Sequence, residues 1–207
     1  MSIMNWFRKS STEIPKDIPK EEETSFPELV ILVNQEIPAS DIFVQGAIEE
    51  VFGVKLPTEA SDTSTEFITG EFPIFTFQHK ERLMQLKFIP DSYFAAKARP
   101  FASGNPDHIH AQVNTRQLQK AVKRHVMWVA ASAVNWNDSI PEDEAYQFIS
   151  RILSAFTIGI TEAIIWPKKN AVRAWEDSMQ GLLDQGKAIE IFTSKLVLPQ
   201  PERVGRP

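Results

Sequence analysis

Residues 28–33 read ELVILV, a short apolar and β-branched run that lies between two prolines. Such a run, bounded by residues that interrupt regular structure, predicts a buried strand. Directly after it, Ser40 is placed to cap a helix over residues 41–52, and Gly53 is placed to end that helix. The fold prediction therefore starts from a strand followed by a helix.

The same kind of pattern predicts the other elements. Apolar or alternating runs indicate strands at residues 65–69, 73–77, 82–89, 108–113, 160–166 and 189–198. Apolar stripes at helical spacing indicate helices at residues 115–135, 141–159 and 171–185. This order predicts one α+β domain with a mixed or antiparallel sheet, covered by helices mainly on one face. Residues 28–33, 108–113, 160–166 and 189–198 are expected to lie side by side in the sheet that the helices cover.

The ends of the chain are expected to lie outside this domain. Residues 1–25 are rich in proline and charge and predict a flexible segment, residues 26–198 the single domain, and residues 199–207 a flexible tail. One apolar cluster, residues 3–7, stands before Arg8 and Lys9, the reverse of the order in a secretory signal peptide. The alternative for this cluster is a short anchor for a membrane surface or a partner.

Composition narrows the class of protein. The chain has 207 residues, no cysteine and a net charge of −5. Disulfide frameworks, thiolate metal sites and cysteine nucleophiles are therefore excluded. No apolar run approaches the roughly 18 to 20 residues that span a bilayer. These features predict a soluble protein of the cytoplasm, with no membrane contact and no cofactor.

Positive charge is concentrated in one block. Residues 80–124 carry nine basic and three acidic side chains, whereas residues 1–79 carry five basic and fourteen acidic ones. We favour solvated surface for this block, with an anion-attracting face as the alternative. The acidic whole chain argues against a nucleic-acid partner.

His108 and His110 are the candidate metal ligands. Two residues apart on a predicted strand, their imidazoles would share one face, with Asp107 beside them and His125 on the following helix. A metal site needs three or four converging ligands, and the spacing specifies only two. Histidines without a ligand role are therefore the favoured interpretation, and contact with a substrate or partner is the other alternative.

Glu162 is the candidate acid or base. By alternation it shares a face with Ile164 and Trp166, where an apolar environment would raise its pKa. The favoured alternative is a strand-end position, with water or a basic partner such as Arg151. A possible pocket therefore comprises His108, His110, His125, Glu162 and Trp166.

Three stretches resemble an uncharacterised bacterial family known only as a domain of unknown function. They are DHIHA at residues 107–111, VAASA at residues 129–133 and AIIWP at residues 163–167. The resemblance covers about residues 28–198 and implies a single α+β domain. Because the family has no assigned activity, the resemblance implies no catalytic residue.

No phosphate-binding loop, nucleophile elbow or zinc-protease motif is present in the sequence. The leading hypothesis is a non-enzymatic binding or protein-interaction module with an unknown protein partner. One alternative is a small metal-binding protein or hydrolase-like enzyme that uses His108, His110 and Glu162. Another is a protein antagonist such as a toxin-immunity protein. Exposed edge strands leave a homodimer and a monomer as equal alternatives.

Overall fold

A computed structural model describes residues 26–58, 66–80, 82–134, 141–157 and 159–193 of the chain. The predicted flexible ends, residues 1–25 and 199–207, lie outside these ranges.

Seven strands in the described ranges form one sheet. In chain order they are β1 (Glu28–Val33), β2 (Phe67–Glu71), β3 (Ile74–His79), β4 (Arg82–Ile89), β5 (Met127–Ala133), β6 (Thr161–Trp166) and β7 (Ala171–Ala174). Across the sheet the order is β2-β3-β4-β5-β1-β6-β7, and every neighbouring pair is antiparallel. The predicted α+β class is therefore confirmed, with an antiparallel sheet.

Six α-helices in the described ranges cover both faces of the sheet. They are α1 (Asp41–Phe52), α2 (Pro106–Ala111), α3 (Arg116–Arg124), α4 (Glu142–Ser154), α5 (Ser178–Asp184) and α6 (Ala188–Thr193). Helices α1, α4, α5 and α6 pack on the first face. Helices α2 and α3 pack on the second face, together with the loop that follows β4. None of these helices is long and apolar enough to cross a membrane.

Strand β1 lies near the centre because its sequence is apolar on both sides. All six of its residues are buried. Leu29, Ile31 and Val33 contribute to the first core, and Val30 and Leu32 to the second. A strand whose side chains point alternately into two cores has a nearly continuous apolar sequence, and this explains the apolar run at residues 28–33.

Helix α1 begins and ends where the sequence predicts. The Ser40 hydroxyl accepts a hydrogen bond from the backbone N–H of Phe43, and Gly53 adopts a left-handed conformation with a φ of 65°. The first is a common arrangement at the start of a helix, and the second is common at its end. The local signals at this helix therefore agree with the tertiary structure.

The predicted strand at residues 108–113 is wrong, because residues Pro106–Ala111 form helix α2. The Asn105 side chain accepts hydrogen bonds from the N–H groups of Asp107 and His108, and Pro106 occupies the first turn. An asparagine cap followed by proline is a helix-start signal. Here that signal outweighs the short alternation of apolar and polar residues.

The predicted helix at residues 115–135 is wrong in its second half. Helix α3 ends at Arg124, and strand β5 begins at Met127. All seven residues of β5 are buried between β4 and β1. A strand buried on both faces has no alternation, so its small apolar residues cannot be distinguished from a buried helix by pattern.

Two predictions near the C-terminal end also fail. The predicted helix at residues 171–185 is divided into strand β7 and helix α5. Helix α6 occupies the first part of the predicted strand at residues 189–198, and residues 194–198 lie outside the described ranges. Of the four stretches expected side by side in the sheet, residues 28–33 and 160–166 are confirmed, as β1 and β6.

Candidate functional site

The five residues of the predicted pocket lie in different places. His108 and His110 are on helix α2, where two residues of separation place side chains about 200° apart. Both are exposed. In the described part of the chain, no three His, Cys, Asp or Glu side chains are grouped so that they could hold a metal ion. The expectation that both imidazoles share one face is therefore wrong.

Trp166 lies on the first face, away from the histidines. Its indole N–H donates to the Tyr146 hydroxyl at 2.7 Å, and the two rings meet edge to face. Burial raises the pKa of Tyr146 far above its ordinary value. This pair belongs to the first core.

His125 links helix α3 to the loop after β4. Its Nε2 accepts from the backbone N–H of Tyr93 at 3.1 Å, and its Nδ1 donates to the Val122 carbonyl at 2.6 Å. Burial lowers the pKa of His125. Because a backbone N–H can only donate, the ring is the neutral Nδ1–H tautomer. Both nitrogens are engaged, so neither is free for a metal or a substrate.

Glu162 lies at a bulge in strand β6. Leu32 of β1 is opposite Ala163, and Val33 is opposite Thr161, so Glu162 is the extra residue. A bulge redirects side chains. Glu162 Oε1 contacts Arg124 of α3 at 3.0 Å, although simple alternation assigned Glu162 to the Trp166 face. That expectation is corrected.

Asn34 and Arg124 are the partners of Glu162. The Asn34 amide donates to Glu162 Oε1 at 2.5 Å. The predicted basic partner, Arg151, donates instead to the Val51 carbonyl and lies over the Phe52 ring. The Glu162 carboxylate therefore connects β1, β6 and α3. The prediction of a basic partner was right in kind but wrong in residue.

A buried polar cluster that the sequence does not predict lies on the second face. Glu28 is 2% exposed, and its Oε2 accepts from Lys87 Nζ at 2.8 Å and from the Ser132 hydroxyl. Lys87 also donates to the Phe101 carbonyl at 3.2 Å, which attaches the loop after β4 to the sheet. The Ser132 hydroxyl is held by a carboxylate and shielded from solvent, so it is a structural group.

Structure explains most of the basic block at residues 80–124. Five of its nine basic residues form ion pairs with carboxylates: Arg82 with Glu144, Lys87 with Glu28, Lys97 with Asp91, Arg99 with Asp107 and Arg124 with Glu162. Lys80 lies in the β3–β4 turn. The other three residues, Arg116, Lys120 and Lys123, are all on helix α3.

We call Arg116, Lys120 and Lys123 the α3 basic stripe. Their spacings of four and three residues place them on one side of the helix, away from Leu118 and Ala121, which are buried. All three are exposed, and within the described ranges none forms an ion pair. Helix α3 contains no acidic residue. Unpaired cations along one helix face attract anionic groups.

Comparison with known proteins yields no relative. No family model matches the chain, and no curated protein or solved structure is significantly similar to it. The resemblance to a domain of unknown function stays a prediction.

Proposed function

We propose that this protein is a non-enzymatic interaction module that binds an acidic segment of a partner protein through the α3 basic stripe. The observation that carries the proposal is the lack of carboxylate partners for Arg116, Lys120 and Lys123 in the described ranges, whereas five other cations of the block are paired. Exposed charges with no internal partner cost the fold little and remain free to bind.

The alternative of a metal-binding or hydrolytic site receives little support from the geometry. His108 and His110 diverge on α2, and both nitrogens of His125 are engaged. Glu162 is held by Asn34 and Arg124. A general base needs access to a substrate proton, and in the described ranges these groups are engaged with the fold itself or lie apart.

The dimensions of the stripe favour a protein partner over a nucleic acid. From Arg116 to Lys123 helix α3 rises by about 10 Å, which matches a short run of Asp or Glu side chains. Binding to a phosphate backbone usually requires a broad basic surface on a basic domain. This chain has a net charge of −5, and Asp107 and Glu162 lie on neighbouring elements.

The proposal is tested by binding of a defined probe. The probe is a fluorescent twelve-residue peptide rich in Asp and Glu, measured by anisotropy at low salt. The variant Lys120→Glu/Lys123→Glu reverses two charges of the stripe. We expect it to lower the affinity at least tenfold, because two attractive contacts become repulsive.

A matched control separates the stripe from bulk charge. Lys80→Glu/Lys187→Glu changes the net charge by the same amount, and both lysines are exposed at other places in the fold. We expect this variant to bind the peptide like the wild type. An equal loss of affinity for the peptide in both variants would contradict the proposal. Tighter binding of a duplex DNA of the same charge would also contradict it, in favour of a nucleic-acid partner.

A further inference from the structure

A second surface lies on the first face, at the edge of the sheet. A cleft of about 430 Å³, measured with the solvent at its mouth, separates the start of helix α1 from strand β2. Ile68 and Phe75 line it and are almost fully buried, and Asp41 and Gln45 of α1 also line it. The cleft therefore combines apolar side chains with an acidic one.

Two exposed hydrophobic residues are close in the chain to residues that line this cleft. Ile42 is 85% exposed and follows Asp41 on α1. Phe72 is 45% exposed and lies in the turn between β2 and β3, two residues after Gly70. Gly46, one turn after Ile42, is also exposed and has open space around it. A helix face that exposes large apolar side chains lacks the polar residues expected of a solvated face.

The size of this surface favours a small occupant. Taking 150–250 Å² for a full large side chain, Ile42 and Phe72 expose roughly 250 Å² in total. A stable homodimer needs about 800 Å² from each partner. A short segment with apolar and basic residues suits the surface better.

The chain itself contains such a segment. Residues 3–9 read IMNWFRK, four apolar side chains of seven followed by two cations. Among the residues that the structure describes, no basic side chain lines the cleft, whereas Asp41 does. The apolar residues match the exposed hydrophobic side chains, and Arg8 and Lys9 match the Asp41 carboxylate.

The chain between residue 9 and Phe26 is long enough for residues 3–9 to reach the cleft. Residue 9 is seventeen residues before Phe26, a distance of up to about 56 Å when extended. The longest strand in the described ranges, β4, has eight residues and measures about 27 Å. The segment can therefore reach any part of the first face.

We propose that residues 3–9 of this chain bind intramolecularly to the α1–β2 cleft, with Trp6 and Phe7 covering the exposed side chains of Ile42 and Phe72. This contact is independent of the α3 basic stripe, which lies on the other face of the sheet.

The absence of cysteine makes a spin-label experiment direct. Ser2→Cys in the full chain provides a single site for a nitroxide. We expect strong loss of amide signal intensity at Ile42, Phe43, Gly46 and Gly70 in a ¹⁵N–¹H spectrum, reversed when the nitroxide is reduced. Intensity loss spread evenly over the surface, or centred on another element, would overturn the proposal.

Two sets of variants test the chemistry of the contact. Trp6→Ser/Phe7→Ser in the labelled chain should restore the signals, and Ile14→Ser/Ile18→Ser, a matched apolar pair in the same part of the sequence, should not. Ile42→Lys, at an exposed position, should also restore them. Intensity loss that persists in Trp6→Ser/Phe7→Ser and Ile42→Lys would overturn the proposal.

A mixed sample identifies the copy that supplies the segment. Unlabelled ¹⁵N protein is combined with nitroxide-labelled ¹⁴N protein. We expect no intensity loss in the mixture, because the contact is within one chain. The reference is the chain that carries both ¹⁵N and the nitroxide. A loss of signal intensity in the mixture equal to that of the reference, corrected for the mixing ratio, would overturn the proposal and indicate a second copy as the source.

Discussion

The backbone N–H of Tyr93 donates to Nε2 of His125 at 3.1 Å, which joins the loop after β4 to the turn between α3 and β5. The Tyr93 ring packs edge to face on Trp128, the second residue of β5. His125 therefore stabilises the arrangement that holds helix α3 and its basic stripe on the second face.

The neutral state of His125 predicts loss of stability in mild acid. Burial lowers the pKa of His125. Burial also lowers the pKa of His79, although the Glu66 carboxylate, 2.9 Å from Nδ1 of His79, partly offsets this lowering. The unfolded chain binds more protons than the folded chain below the ordinary pKa of 6.5. The free energy of unfolding should be constant above this pH and fall as the pH decreases towards the folded pKa.

Urea unfolding at about pH 7.5 and pH 5.5, where histidine is the principal titrating side chain, checks this prediction. The midpoint should be lower at the acidic pH. His125→Gln should be less stable at both and show a smaller difference between them. Equal midpoints for the wild type would contradict the neutral assignment.

The buried ion pair of Glu28 and Lys87 predicts a large cost when one partner is removed. Lys87→Met leaves a carboxylate that is 2% exposed without its cation. Breaking a buried pair from one side costs about 3–5 kcal/mol. Chemical denaturation should show this loss, together with faster hydrogen exchange near Phe101, whose carbonyl accepts from Lys87.

Lys97→Met is the control for this variant, since Lys97 is 79% exposed in its pair with Asp91. It should change the unfolding midpoint far less than Lys87→Met. A similar small change for both variants would show that the Glu28–Lys87 pair contributes no more than a surface pair.

The cap of helix α2 predicts a measurable effect of Asn105→Ala. The Asn105 side chain accepts from the N–H groups of Asp107 and His108. Loss of such a cap costs about 1 kcal/mol. Asn105→Asp, which keeps an acceptor oxygen, should retain most of the stability. If residues 108–113 formed a strand, the two variants would have similar unfolding midpoints.

Two glycines predict changes of opposite sign. Gly70 has a φ of 114°, and an added Cβ would lie 2.5 Å from the Ile74 carbonyl oxygen, so Gly70→Ala should lower the melting temperature. Gly46 is exposed within helix α1 and has open space around it, so Gly46→Ala should stabilise by about 1 kcal/mol. Calorimetry of both variants checks the difference.

Local signals explain which elements the sequence could predict. Strands β1 and β4 and helix α1 have apolar patterns and end signals that agree with their tertiary environment. Strand β5 does not, because it is buried on both faces and its residues favour helix and strand alike. At helix α2 two local signals conflict: the Asn105 cap and Pro106 favour a helix, whereas the alternation at residues 108–113 favours a strand.

The candidate site could be predicted only in part. The sequence shows a basic block at residues 80–124, but which cations are paired depends on carboxylates up to 62 positions away, as with Arg82 and Glu144. The redirection of Glu162 towards Arg124 depends on a bulge in the β1–β6 pairing, which leaves no signal in the sequence. Pairing across the fold therefore decides which charges remain free.

The most direct test of the proposed function is to map the bound acidic peptide on the full chain. In a ¹⁵N–¹H titration with the twelve-residue probe, we predict chemical-shift changes that are largest at Arg116, Lys120 and Lys123 and that diminish as salt is added. Changes centred on Lys80, Lys187 or the α1–β2 cleft, with helix α3 unchanged, would contradict the assignment of the binding surface.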